Sequence, residues 1–519
     1  MIKSSLFCLS FIAVGFGEIK TALAQSKLTF SSSDRLSSER IVKVSQSNSS
    51  FQSQTETTTT VPAGNNITIS EIEVRFVDKN GDITTGQTKP TIIIREFALQ
   101  PGDVYNQKLA LQGLNGVRKL DIVDLAKLTL EPGATTDEAV MVVTVAEKKS
   151  AYFAFGLTLE PPTALQGTVK PNVVHALSNS STGTSGGVRF GLRNLGGTNQ
   201  QASLGIEGGE QKFGFNLGYR NYLRHDTGYG INFFNQRNVE PEFDEGDIDV
   251  DLPDDNDPWI HRIGGGMEYF QPLARDFVGA IGISYQRISV RERAFSKSIE
   301  ARDELGDRLT VSDDGQDDLL TINFAAVLDR QNNSQYPTEG FKLQFGSDQS
   351  IPVGDASIVY NRLAANYTHY LPLNLFGFTE GARTLVLNFQ GGTILGEVPP
   401  YEAFTLGGSS SVRGYGSGEL STGRSFIQAT AEYRYPISAF RVFKRYIDVG
   451  GTFFIDYGSD LGTNDDVIGR PAQVRDKPNS GLGYGLGLRA LTPVGAVRLE
   501  FALNDEGDSE IIFAIGDRF

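Results

Sequence analysis

The ten residues Phe426-Ile427-Gln428-Ala429-Thr430-Ala431-Glu432-Tyr433-Arg434-Tyr435 alternate from Ile427 onward without a slip. Ile427, Ala429, Ala431, Tyr433 and Tyr435 fall on one side, and Gln428, Thr430, Glu432 and Arg434 on the other. Period two is the mark of a strand with one apolar and one polar face. About ten such residues are what a tilted strand needs to cross a bilayer. Thr384 to Gly391 repeats the pattern, with Leu385, Leu387 and Phe389 opposed to Asn388 and Gln390. Ala496 to Asn504 does so again, with Val497, Leu499, Phe501 and Leu503 opposed to Arg498, Glu500 and Asn504. A soluble β-sandwich also alternates, but it turns its polar face to water.

The number of strands and the lengths of their connections separate the two architectures. Sixteen candidate strands lie near 151–160, 185–194, 199–207, 211–223, 226–238, 259–272, 275–291, 318–331, 340–350, 356–371, 382–394, 424–437, 446–459, 481–492, 494–504 and 509–519. An even number suits a single-chain membrane barrel with short turns at one end and long loops at the other. The long links 161–184, 239–258, 292–317, 395–423 and 460–480 all follow odd-numbered strands, so they fall on one rim. A sandwich has no reason to sort its loops in this way. The fold class expected is an all-β transmembrane barrel of sixteen antiparallel strands over 150–519, preceded by one small α/β domain.

That domain occupies 68–149. Ile67, Ile69, Ile72, Val74 and Phe76 predict a strand whose alternation slips near Ser70-Glu71. Leu109, Leu111, Leu114 and Val117 predict a helix, and Leu120–Leu130 and Ala139–Val145 predict two further strands. Upstream, residues 25–67 are rich in Ser, Thr and Gln and read as a flexible tether. Residues 1–24 read as a secretory signal: Lys3, the apolar run Leu6–Phe16, and Ala22-Leu23-Ala24 before Gln25.

Composition narrows the function classes. The 519 residues carry 47 Lys plus Arg against 62 Asp plus Glu, a formal net charge of −15. Without a basic stripe the chain is a poor partner for nucleic acid. Cys8 is the one cysteine and the four histidines are scattered, which argues against thiol, zinc or triad chemistry. No metal, cofactor or catalytic set is expected, and the chain reads as no enzyme. The acidity concentrates in 242–257 and 300–318, both predicted loops, which together account for the whole net charge. Asp247-Ile248-Asp249-Val250-Asp251 begins like a calcium loop, but Leu252 and Pro258 stand where an EF-hand needs Gly and Glu. A loose divalent site and a solvated acidic loop both stay open.

Several phrases carry a family resemblance. Phe97-Ala98-Leu99-Gln100-Pro101-Gly102-Asp103-Val104-Tyr105 resembles the POTRA domain, a periplasmic β-α-α-β-β module; Gly116-Val117-Arg118 departs from its usual Gly-hydrophobic-Phe phrase. Leu406-Gly407-Gly408-Ser409-Ser410-Ser411-Val412-Arg413-Gly414-Tyr415-Gly416, with Phe454-Ile455-Asp456-Tyr457-Gly458, is similar to the signature of the POTRA-plus-barrel superfamily of BamA, TamA and Toc-channel type, the bacterial surface antigen family. The stretch Leu328 to Gly340, the hairpin phrases at 483–489 and 492–495, and the terminal Phe513-Ala514-Ile515-Gly516-Asp517-Arg518-Phe519 add to it. The resemblance spans about 68–519.

The resemblance implies that the loop bearing Val412, Arg413, Gly414 and Tyr415 folds into the barrel. There Arg413 pairs with Asp456, flanked by Phe454 and Gly458. It also implies that Phe513, Ile515, Gly516 and Phe519 form the last strand, its kink and the C-terminal signal, beside a lateral gate against strand 151–160. The implied function is insertion, assembly or translocation of other outer-membrane proteins, with the POTRA domain in the periplasm. Its partners would be unfolded outer-membrane proteins, outer-membrane lipid, and periplasmic chaperones or accessory lipoproteins. A two-partner-secretion exporter, a passive channel and a surface binding protein remain the alternatives.

Overall fold

The computed structural model describes residues 67–158, 185–209, 211–333, 336–442, 445–492 and 495–519. The expected signal, nearly all of the tether and the loop at 161–184 lie outside the described residues.

The N-terminal unit follows the order β-α-α-β-β. β1 (Thr68–Val77) is followed by α1 (Pro90–Ile94), α2 (Gln107–Lys119), β2 (Val123–Pro132) and β3 (Glu138–Glu147). β3 lies centrally, parallel to β1 and antiparallel to β2. The slip in β1 is a bulge between Ile69 and Glu71 that returns Ile72 and Phe76 to the core. Asn106 caps α2 by accepting from the Lys108 and Leu109 N–H groups, and Ala110, Leu114 and Val117 are buried against the sheet. The short α1, opened by Pro90, has no counterpart in the apolar periodicity because it is one turn long.

Sixteen strands among the described residues close the barrel. They are β4 (Ala151–Thr158), β5 (Ser185–Leu195), β6 (Gln200–Gly209), β7 (Lys212–Arg224), β8 (Thr227–Val239), β9 (Trp259–Ala274) and β10 (Phe277–Arg291). β11 (Gln316–Asp329), β12 (Gly340–Ile351), β13 (Tyr360–Pro372) and β14 (Thr384–Gly396) follow. A two-stranded hairpin, β15 (Phe404–Leu406) and β16 (Ser421–Gly423), interrupts the order. β17 (Ser425–Val442), β18 (Arg445–Ser459), β19 (Ser480–Thr492), β20 (Gly495–Asn504) and β21 (Ser509–Ile515) complete the wall. Every barrel pair is antiparallel, β14 joins β17 across the hairpin, and β21 returns to β4.

The pleat sorts the side chains as the alternation requires. Ile427, Phe453, Ile455, Tyr457, Leu486 and Phe501 are exposed on the outer face. Gln428, Thr430, Glu432, Asp456 and Glu500 are buried inside. The wall closes on itself through β21 and β4, so the strands span lipid as a barrel and not as an open sheet. No helix among the described residues is long and apolar enough to cross a membrane.

The last strand ends earlier than the alternation predicts. β21 stops at Ile515 rather than Phe519, because Gly516 takes φ +127° and the chain leaves the wall. Asp517, which interrupts the apolar row, is the residue that turns inward. The hairpin β15–β16 is a second feature that three-residue strands could not announce in the pattern.

The two rims differ. On one, the N-terminal unit grips the short turns: Lys89 N–H donates to Gly197 O (2.9 Å), Arg95 Nη2 to Tyr222 O (2.7 Å), and His225 Nδ1 lies 2.7 Å from Glu96. On the other, the links 240–258, 292–315, 397–424 and 460–479 fold into a dome around Phe243, Leu252, Leu309, Val398, Tyr401 and Val467. The acidic stretch is therefore not a simple solvated loop. Lys477 Nζ caps the carbonyls of Pro241, Asp244 and Gly418 at 2.8–2.9 Å, and Arg475 donates to Val250 O. Burial, reinforced by the Arg475 charge, pushes the Lys477 amine down to about 7. Burial and the neighbouring Glu240 raise the Glu242 carboxyl well above its ordinary range. Among the described residues no three His, Cys, Asp or Glu side chains form a metal-binding set.

Arg262 holds the dome to the wall. It donates to Glu240 (2.6 and 2.7 Å), to Glu402 (3.0 Å) and to Tyr401 O (2.6 Å), with no solvent exposure. Arg262→Met leaves two buried carboxylates without their cation, a loss of about 3–5 kcal/mol. Cleavage of 240–257 by a Glu-specific protease should rise by about a hundredfold or more. Unchanged cleavage would show that the dome does not depend on this cation.

Candidate functional site

The site grows from the link between β14 and β17. The hairpin β15–β16 carries it down into the lumen, and its tip runs through Gly407, Gly408, Gly414 and Gly418, all at positive φ. At Gly414 a Cβ would stand 2.6 Å from the Leu503 backbone, so the tip can approach β20 only without a side chain there. The opposing wall is also bared. A Cβ on Gly458 would meet Val412, one on Gly481 the Tyr415 hydroxyl, and one on Gly483 the Arg413 carbonyl. The Gly-x-Gly series of β19 is the seat on which the lumen loop lies. Tyr415 is anchored there by donating to Asp505 at 2.6 Å.

Arg413 is wholly buried and uses its full fork. Nε and Nη2 donate to the two oxygens of Asp456 at 2.7 and 3.1 Å, and Nη1 donates to Glu432 at 3.0 Å. Glu500 lies 3.4 Å from Nη1, and the guanidinium stacks over the Phe454 ring at 3.3 Å. Asp456 sits on β18 between Thr430 of β17 and Gly483 of β19, and accepts from Thr430 Oγ1 at 2.8 Å. Arg413 thus meets Asp456 and Phe454 and Val412 faces Gly458, while Gly414 lies against β20 and Tyr415 against Gly481 of β19. Only the guanidinium supplies this planar bidentate geometry.

The C-terminal residues enter the same knot, which no pattern in the chain foretells. Arg518 Nη1 donates to both Asp456 oxygens at 3.1 Å, and Nη2 donates to the Ser411 carbonyl of the lumen loop. Asp517 accepts from Arg434 (2.9 and 3.2 Å) and Arg489 (2.5 and 3.4 Å). Arg498 donates to the Gly516 carbonyl at 3.1 Å. Phe519 leaves the outer face altogether and lies beneath Arg434 and Arg518, 5.7 and 5.3 Å from its ring centre. Phe513 remains in the β21 wall, opposite Leu499, and Ile515 opposite Val497. Arg434, Arg489, Arg498 and Arg518 were legible only as inward-facing or terminal charges, since their partners lie on distant strands.

A closed apolar-faced barrel, plugged by its own loop and tied by buried charges, defines a membrane-spanning barrel with a locked lumen. The Omp85 superfamily domain matches residues 194–519, and the chain belongs to that superfamily. Outer envelope protein 80, chloroplastic, of Arabidopsis thaliana is 27% identical over 455 residues, covering 87% of this chain and 57% of the relative. Protein TOC75, chloroplastic, of Pisum sativum is 26% identical over 482 residues, covering 87% and 56%. The chain therefore spans little more than half the length of these relatives. The crystal structure of BamA from Haemophilus ducreyi lacking POTRA domains 1–3 has the same fold, with a TM-score of 0.58, 16% identity, and 87% and 84% coverage.

Reversing either charge alone, Arg413→Asp or Asp456→Arg, should lower the urea midpoint of the reconstituted barrel by the equivalent of about 3–5 kcal/mol. The double reversal should recover part of it, with a coupling of about 1–3 kcal/mol. Recovery is incomplete because Glu432 and Glu500 would then face a carboxylate, and Arg518 a guanidinium. Strictly additive losses would mean that the pair is not an energetic unit.

Proposed function

We propose that this protein is an outer-membrane insertase or translocase for other outer-membrane proteins, working through a lateral gate between β4 and β21. The observation that carries the reading is the seam. Among the described residues the two strands share one register pair, Ala514 with Thr158, whereas their outer neighbours pair along seven and eight residues. Residues 516–519 turn into the lumen at the level where they would otherwise extend β21 along Phe153–Gly156. The edge of β4 that faces β21 would then template an incoming strand. Release of Arg518 from Asp456 would free the tail, so the lumen knot and the seam are mechanically one device.

Superfamily membership and relatives named as chloroplast outer envelope and TOC75 proteins support the assignment. The N-terminal unit would lie in the periplasm. A cavity of about 790 Å³ lies between this unit and the wall, lined by α2 residues such as Gln112 and Asn115 and by Tyr222, Glu268 and Phe270. An unfolded client would approach by that path, with β-augmentation on the sheet edges of the unit and then on β4. A passive channel fits less well, since the loop and the ion knot fill the lumen. Export of a single secreted protein is the competing use of the same gate.

A Thr158→Cys, Ala514→Cys pair, oxidised, should abolish client insertion, and reduction should restore it. Full insertion by the oxidised form would remove the gate. Depletion followed by outer-membrane proteomics should show broad loss of barrels. One missing secreted protein would instead assign export, and an unchanged profile a channel or binder.

A further inference from the structure

The link between β13 and β14, on the rim that carries the N-terminal unit, turns away from the lumen. Its Leu373-Asn374-Leu375-Phe376-Gly377-Phe378 segment folds back on the outside of the wall. Leu375, Phe376 and Phe378 are 65%, 44% and 74% exposed, a dense apolar group for a turn beside water. The turn is held firmly. The Leu375 and Phe376 N–H groups donate to the Tyr433 hydroxyl at 3.2 and 3.1 Å, and that hydroxyl donates to the Phe376 carbonyl at 2.9 Å. Phe378 N–H donates to Pro436 O at 2.9 Å.

The surface it joins is the lipid-facing row. The Phe376 ring lies 5.1, 4.7 and 5.8 Å from Tyr433, Tyr435 and Phe453, and Phe378 lies 6.1 Å from Tyr435. Tyr433 stands on the outward side of β17 yet is only 7% exposed, because the turn covers it. Phe453, Ile455 and Tyr457 continue the same row along β18. Arg383 donates to the carbonyls of Phe376, Thr379 and Gly381 at 3.1–3.4 Å, satisfying backbone groups that lipid could not.

We propose that Leu375–Phe378 is an interfacial foot, seated in the headgroup–acyl boundary of the leaflet on the side of the N-terminal unit. Its occupant is lipid, argued from continuity with the apolar belt, from the internally satisfied backbone, and from the pairing of aromatics with an arginine at the rim. Aromatic rings favour that boundary, and an arginine can reach phosphate while its stem stays apolar. The foot fixes the depth of the wall at β14, β17 and β18. It depends on the barrel and not on the insertase reading, so the two fail separately.

The test uses the full chain, reconstituted into phosphatidylcholine vesicles brominated either near the headgroup end or midway along the acyl chain. Trp259 is the one tryptophan, so Phe378→Trp in a Trp259→Phe background reports on the foot alone. Leu486→Trp, on the outer wall, reports that the barrel has inserted. Phe378→Trp should lose emission most strongly to bromine near the headgroup. Leu375→Cys in a Cys8→Ser background, bearing an environment-sensitive dye, leaves Trp259 and the aromatic cluster intact, and should shift to the blue and be quenched by the same lipid. Quenching at Leu486→Trp with none at either foot position overturns the proposal and turns the patch over to a protein partner.

Discussion

Everything inside this barrel answers to the cost of leaving a charge unpartnered in a confined, partly dehydrated lumen. Arg413 brings a cation down on a long loop, and the wall meets it with Asp456, Glu432 and Glu500. Asp456 is shared with Arg518, so the loop and the C-terminal residues are held by one carboxylate. Coulomb attraction strengthens as water is excluded, and so does the penalty for losing a partner. The arrangement therefore holds or releases as a unit.

Shape makes that chemistry reachable. Gly458, Gly481 and Gly483 strip the wall where Val412, Arg413 and Tyr415 press against it. Glycine weakens a strand, and a barrel wall absorbs the weakness because each strand is paired on both sides. The loop's own glycines supply the left-handed turns that bring its tip against β20. The inner wall is thus shaped to the loop that lies on it. The dome adds a second arginine-centred knot at the far rim, where Arg262 ties Glu240 and Glu402. This barrel is in this sense a cylinder tied from within by two sets of buried ion pairs.

Much of this could be read from residue order. Alternation located all sixteen wall strands, and the sorting of loop lengths fixed which rim carried the dome. Parity put Asp456 on the inner face before any contact was known. The one-residue slip in β1 showed as a broken alternation and is a bulge. The misses share a cause. The α1 helix and the β15–β16 hairpin are shorter than one period of their patterns can reveal. The departure of Asp517, Arg518 and Phe519 from the wall follows from arginines on β17 and β19, which no local window contains. The aromatic turn at 375–378 was legible as a turn, but its outward fold required Tyr433 in place.

Local order therefore determined the class of structure, because period-two alternation and loop length are properties of neighbouring residues. It also determined the chemical identity of the loop and wall motifs. The tertiary structure alone decided which charges share a partner, where the last strand ends, and which glycines serve as a seat. Those outcomes depend on closure of the barrel. Closure brings β21 back to β4 and sets side chains scores of residues apart within hydrogen-bonding distance, where the energy of a buried ion pair outweighs any local preference.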